Sequence, residues 1–211
     1  MIAIIDYGMG NIHSVNKALE LFGAKTVVTN NSKDIQSAEK AVLPGVGAFD
    51  DAVLELEKQG LINTIKAYLK TKRPFLGICL GMQLLFEESQ EALKTKGLGV
   101  LKGKVKRFEV RKALKVPHMG WNQLRKVTKS QGHKVTGECP LLNGVADNAY
   151  VYFCHSYYPE PKDKNVIAST TDYDKEFASI VWQDNIYGVQ FHPEKSQKVG
   201  LKIIENFVKL C

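Results

Sequence analysis

Pro74-Phe75-Leu76-Gly77-Ile78-Cys79-Leu80-Gly81-Met82-Gln83 is an apolar run that ends at a single cysteine, with a glycine two residues to either side. Phe75, Leu76 and Ile78 read as the end of a buried parallel strand. Residues 80–88 carry apolar side chains at helical spacing, so Cys79 falls on a strand-to-helix turn. Gly77 and Gly81 let the backbone crowd there. The free N–H groups and positive dipole end of a helix favour an anion, which suits a reactive thiolate. A lone buried cysteine more often serves as a small hydrophobe. The glycine bracket, and a histidine and glutamate far downstream, favour the nucleophile.

Those two partners stand in Gly188-Val189-Gln190-Phe191-His192-Pro193-Glu194-Lys195-Ser196. An apolar strand ends at His192, Pro193 stiffens the turn, and Glu194 follows two residues on. A cysteine nucleophile needs a base that takes the thiol proton and later protonates the leaving group, and imidazole titrates in the right range. Its other ring nitrogen needs an acceptor that fixes the tautomer, a role open to Glu194. A third stretch, Pro44-Gly45-Val46-Gly47-Ala48-Phe49, follows a short apolar run. Two glycines around one valine make a backbone that can approach a ligand and can flip. Its N–H groups are candidates for an oxyanion hole, although alone the stretch reads as a turn.

The remaining pattern divides in two. Up to the elbow, apolar runs at residues 1–6, 26–29 and 41–43 alternate with helical patterns at 14–22, 32–38 (capped by Ser32), 50–59 and 61–70. Gly8 and Gly10 resemble a fragment of a dinucleotide-binding turn, but the third glycine is missing, so a tight turn at the ligand-collecting edge of a parallel sheet fits better. Beyond the elbow, short alternating runs at 99–108, 121–127, 150–154, 167–171, 177–183 and 186–190 read as sheet, with a helix over 199–210. Residues 111–117 read as a charged linker. His118, before a glycine, is a weak catalytic candidate and reads better as a turn or surface residue.

Length and a 44% hydrophobic content suit one domain over residues 1–211 with a full core. The net charge is +7, yet the basic residues are mostly lysines scattered among acids, which reads as a solvated surface rather than a nucleic-acid site. Lysines alternating along Lys102-Gly103-Lys104-Val105-Lys106-Arg107 suit an edge strand kept soluble. Cys79, Cys139, Cys154 and Cys211 form no metal-ligand spacing, and intracellular chains keep such thiols reduced. No apolar stretch approaches the roughly 20 residues that span a bilayer, and nothing targets the chain outward, so a cytoplasmic location is expected. No metal and no cofactor are expected.

The elbow and the His-Pro-Glu stretch resemble the class I, triad-type glutamine amidotransferases over nearly the whole chain. The resemblance implies an α/β fold with an open mixed, mostly parallel central sheet and helices on both faces. It also implies that Cys79 attacks the side-chain amide of glutamine, with His192 and Glu194 completing the triad. Val46, Gly47 and Leu80 would supply the oxyanion hole. Gln83, Glu91, Ser156 and Tyr157 would hold glutamine, Glu91 taking its α-amino group. Within the family, Asp6 to Asn11, residues 44–49, Pro117-His118-Met119-Gly120-Trp121-Asn122 and residues 188–196 together resemble the glutaminase subunits of the histidine-biosynthetic branch. Those pass ammonia to a separate (β/α)8 cyclase subunit, and Asn11, Trp121, Tyr152 and Lys195 would lie at that heterodimer interface. A core tryptophan is an equal reading of Trp121. The competing readings are the glutaminase of another pathway, a silent partner-binding adaptor, and, less favoured, a cysteine peptidase or thiol-redox protein.

Overall fold

The computed structural model describes residues 1–109, 115–127 and 138–211; the expected linker falls mostly outside them. Its first half alternates strand and helix: β1 (Ile2–Ile5), α1 (Ile12–Glu20), β2 (Thr26–Thr29), α2 (Ser32–Ser37), β3 (Lys40–Gly45), α3 (Phe49–Lys58), α4 (Leu61–Lys70), β4 (Phe75–Cys79) and α5 (Leu80–Gln83). The second half is mostly strand: β5 (Glu88–Ser89), β6 (Gly103–Arg107), β7 (His118–Lys126), β8 (Ala149–His155), β9 (Tyr157–Pro161), β10 (Ile167–Tyr173), β11 (Lys175–Gln183) and β12 (Ile186–Val189), closed by α6 (Gln197–Leu210).

Nine strands form one mixed sheet in the order β2-β1-β3-β4-β12-β11-β10-β7-β8. It is parallel from β2 to β12 and antiparallel from β11 onward. Successive residues of the parallel strands bury on opposite faces. Ile4, Val42, Leu76 and Ile78 join α1 and α6 in one core, while Ile5, Ala41, Leu43 and Phe75 join α3 and α4 in the other. The longer helices present an apolar stripe at three- and four-residue spacing, such as Phe49, Ala52, Val53 and Leu56 of α3.

Several local expectations are corrected. The elbow helix stops at Gln83 rather than running to residue 88. Leu84, Leu85 and Phe86 are all fully buried, and their carbonyls accept from the N–H groups of Leu98, Val100, Leu101 and Gly99, so a returning loop takes over the bonds a longer helix would make. Asn31, not Ser32, caps α2, its Oδ1 accepting from the Lys33 N–H at 2.8 Å. Of residues 99–108 only β6 is strand. It is no edge strand but the middle of a second sheet, β5-β6-β9. Its partner β9 was hidden by Pro159 and Pro161. The bonds Phe108 N–H to Ser156 O and Lys162 N–H to Lys102 O bracket β9 and put its ladder bonds on even-numbered residues. Both prolines therefore turn their missing N–H groups away from β6.

Candidate active site

Three adjacent parallel strands deliver the site. Register places Gly45 of β3 beside Cys79 of β4, and Ile78 beside Val189 of β12. The loop 46–48, the cysteine and the segment 190–194 thus leave the sheet together at its carboxyl edge, where open α/β sheets bind ligands. Cys79 holds φ 53° and ψ −109°, a conformation a non-glycine residue keeps only where its surroundings enforce it. The enforcement is visible: a Cβ on Gly81 would stand 1.9 Å from the Leu43 carbonyl oxygen, and one on Gly77 would stand 2.6 Å from the Gly81 oxygen.

His192 Nδ1 lies 2.9 Å from Glu194 Oε1, and both side chains are buried. Burial alone would lower the His192 pKa, but hydrogen bonds to Cys79 and Glu194, and the charges of both, raise it to about 10. The arrangement favours an imidazolium held between the Cys79 sulfur and the Glu194 side chain. Asn11 Nδ2 donates to the same Glu194 oxygen at 3.3 Å. The imidazole is also fixed from the backbone. The His192 N–H bonds to Tyr152 O at 2.9 Å, while Ser196 Oγ donates to His192 O and accepts from the Tyr152 N–H.

A cavity of about 320 Å³ opens over the sulfur. Of the sequence-derived site residues, Val46, Gly47, Cys79, Leu80, Gln83, Glu91, Tyr152, Ser156, Tyr157, His192 and Lys195 all line it. Gly47 has φ +96°, so this loop holds a conformation that glycine provides. Glu91 Oε2 accepts from the Phe49 N–H at 3.0 Å, tying the loop to the cavity wall. Burial raises the Glu91 pKa, the Phe49 bond opposes it, and Asp50 and Asp51 add to the rise. Such a carboxylate suits an incoming ammonium group. Both Gln83 amide hydrogens are committed, to Tyr157 O at 2.9 Å and Gln190 Oε1 at 3.0 Å, so its carbonyl oxygen is what it offers a ligand.

Glu194 stands behind His192 and outside the cavity lining. Trp121 lies outside it too and is 46% exposed, which removes the core reading. Together with Met119 and Tyr150 it forms an exposed apolar face on β7 and β8, and its ring meets that of Tyr152 edge-on at 6.1 Å. A larger groove of about 810 Å³, bounded by Lys66, Glu87, Lys104 and Glu160, contains none of the expected residues.

The sequence reading missed Gln190, whose Nε2 points at Cys79 Sγ at 3.6 Å, and His155, which lines the cavity. A lone polar residue inside the apolar run 186–191 was the available signal for the first. His118 is neither a turn nor a surface residue. It is buried on β7 against Phe153, Tyr173 and His155. Burial depresses the pKa of His118 to about 4, and burial plus the neighbouring His118 that of His155 to about 3. Both start from 6.5, so the unfolded chain binds protons that the folded chain refuses as pH falls below that value. The stability from these two rings is complete above pH 6.5 and is lost progressively on the way to about 3. Urea midpoints measured from pH 7 to pH 4 should fall steadily, and a flat profile would contradict the neutral pair.

The fold and the cysteine-histidine-glutamate geometry define a glutamine amidotransferase: the chain belongs to that family, whose model, Glutamine amidotransferase class-I, matches residues 3–211. It is 48% identical to the imidazole glycerol phosphate synthase subunit HisH of Methanocaldococcus jannaschii over all of both chains. It is 50% identical to the subunit of the same name from Geobacter sulfurreducens, covering 98% of this chain and 97% of the relative. Among solved structures it is similar in fold to a glutamine amidotransferase (TM-score 0.73, 15% identity, 98% and 99% of the two chains) and to PurLQS from Thermotoga maritima (0.71, 17%, 98% and 96%).

Proposed function

We infer that this chain, as a single amidotransferase domain, is the glutaminase subunit of an imidazole glycerol phosphate synthase, working in the cytoplasm in histidine biosynthesis. The observation that carries the chemistry is the buried His192–Glu194 pair against Cys79 at the floor of a cavity sized for a small amino acid. The pathway rests on full-length similarity to the HisH subunits. Cys79 attacks the glutamine amide carbon, and N–H groups of Val46, Gly47 and Leu80 hold the oxyanion. His192, oriented by Glu194, protonates departing ammonia and then activates the water that hydrolyses the γ-glutamyl thioester. Gln83, Glu91, Ser156 and Tyr157 hold the substrate.

Ammonia released into water near neutral pH becomes ammonium and loses its nucleophilicity, so the acceptor site must be reached through a dry passage. A separate (β/α)8 cyclase docked over the cavity mouth would supply it. Tyr152 and Lys195 line that mouth, and the apolar face of Met119, Trp121 and Tyr150 continues outward from Tyr152. That continuity supports Trp121, Tyr152, Lys195 and Asn11 as interface residues, with Trp121 as an aromatic anchor. No helix among the described residues is long and apolar enough to cross a membrane.

The test is glutamate released from glutamine by the purified chain, alone and mixed with an imidazole glycerol phosphate synthase cyclase, with and without its ribonucleotide substrate. Strong stimulation in the complex is expected. Activity indifferent to that cyclase would overturn the pathway and keep the glutaminase, and no activity under any condition would leave a partner-binding adaptor.

A further inference from the structure

A continuous set of hydrogen bonds links the partly exposed Asn122 of β7 to the Cys79 sulfur. Asn122 Nδ2 donates to Asp172 O at 2.8 Å and reaches His118 Nε2 at 3.2 Å. His118 Nδ1 meets His155 Nε2 at 3.0 Å, and His155 Nδ1 meets Tyr157 O at 2.8 Å. The Tyr157 carbonyl also accepts from Gln83 Nε2, Gln190 Oε1 accepts the other Gln83 hydrogen, and Gln190 Nε2 points at Cys79 Sγ.

Backbone carbonyls only accept, and two of them fix the direction of every bond, those from the two sides converging on the Tyr157 oxygen. The Tyr157 oxygen requires a hydrogen on His155 Nδ1, which leaves His155 Nε2 as an acceptor and requires a hydrogen on His118 Nδ1. The Asp172 oxygen orients the Asn122 amide so that its second hydrogen faces His118 Nε2. The two ends, deduced independently, agree on the bond between the rings. On the other side, the same Tyr157 oxygen orients Gln83, Gln83 orients Gln190, and Gln190 must then turn an N–H toward Cys79. Each histidine uses both nitrogens with one hydrogen between them, so the line exists only while both rings are neutral. The other titratable groups facing the pair are Tyr173, stacked on His118 at 3.9 Å, and His192, whose charge bears on His155. Arg125 and Asp172 pair at 3.7 Å near the Asn122 end.

We propose that Gln190 is a positioning residue that donates to the Cys79 sulfur, its amide oriented by Gln83, which is itself held by the Tyr157 carbonyl to which the neutral His118–His155 pair also donates. The inference rests on the reading of Cys79 as nucleophile. It adds a donor to the sulfur outside the triad, and the shared Tyr157 carbonyl places that donor network beside the histidine pair of β7 and β8.

Two measurements on the full chain test it. Nitrogen-15 NMR of the imidazoles should find both His118 and His155 as neutral Nδ1–H tautomers, the less common form of free histidine; an Nε2–H tautomer on either ring contradicts the convergence on the Tyr157 carbonyl and overturns the network. The second measurement is the pH dependence of Cys79 alkylation by iodoacetamide, read by peptide mass. Gln190→Glu replaces the donor by a carboxylate oxygen and should slow labelling at pH 7 by about tenfold or more while moving the titration upward. A native-like profile in Gln190→Glu would overturn the donor, whereas slow labelling of the native chain would instead sink the nucleophile reading, with the relative rates still scoring the donor.

Discussion

Cys79→Ala should lower glutamine hydrolysis by at least about 10⁴-fold in kcat, with or without a partner, because removing the nucleophile of an interdependent triad forfeits nearly all of its catalysis. Glutamine binding should persist, since Glu91, Gln83, Ser156 and Tyr157 are untouched and line the cavity independently of the sulfur. The double variant with His192→Ala should be scarcely worse than Cys79→Ala alone, as expected of groups that act as a unit. A further consequence separates this site from a silent one. His192 is raised to about 10 against its own burial, and the Cys79 hydrogen bond is the foremost of the influences that raise it. Without the sulfur, burial is opposed only by Glu194, so the His192 titration followed by NMR should move down. Retention of full hydrolysis, or a His192 titration that does not move, would remove the coupling of His192 to the Cys79 sulfur from the mechanism.

Much of this site was legible because each part is a local sequence feature. A glycine-bracketed cysteine ends β4, His-Pro-Glu follows β12, and Pro-Gly-Val-Gly ends β3, and parallel pairing needs only strand adjacency to bring three such ends together. What escaped depends on register between distant segments. His118 and His155 become a pair only because β7 and β8 place them directly opposite one another, and a histidine before a glycine gives no local sign of that. Gln190 reads as a single polar interruption until Gln83 is found to orient it. The overlong elbow helix has a related cause. Leu84, Leu85 and Phe86 satisfy helical periodicity, but they are buried on every side by a loop that periodicity does not register. Asn11, expected at a partner surface from resemblance, donates to Glu194, a link that sequence reading without register does not give.

Gly81→Ala should be the most damaging added methyl among the described glycines. The added Cβ would stand 1.9 Å from the Leu43 carbonyl oxygen and 2.9 Å from its carbon. Both atoms are backbone of a central strand, so no side-chain rotation relieves the clash, and β3 and the elbow must separate. Overpacking of this kind costs about 3 kcal/mol or more, a large share of the roughly 5–15 kcal/mol that holds a domain together. For a chain of this length that corresponds to a fall of about 6–12 °C in Tm. Activity should be lost beyond what the stability change explains, because the displaced strand leads directly into Val46 and Gly47. Gly77→Ala presses the same junction from the opposite side, toward the Gly81 oxygen at 2.6 Å, and should be damaging for the same reason. Thermal unfolding of Gly81→Ala beside iodoacetamide labelling of Cys79 decides the matter. A midpoint within about 2 °C of the native chain, together with native labelling, would mean that the strained cysteine does not depend on the backbone contact between the elbow and β3.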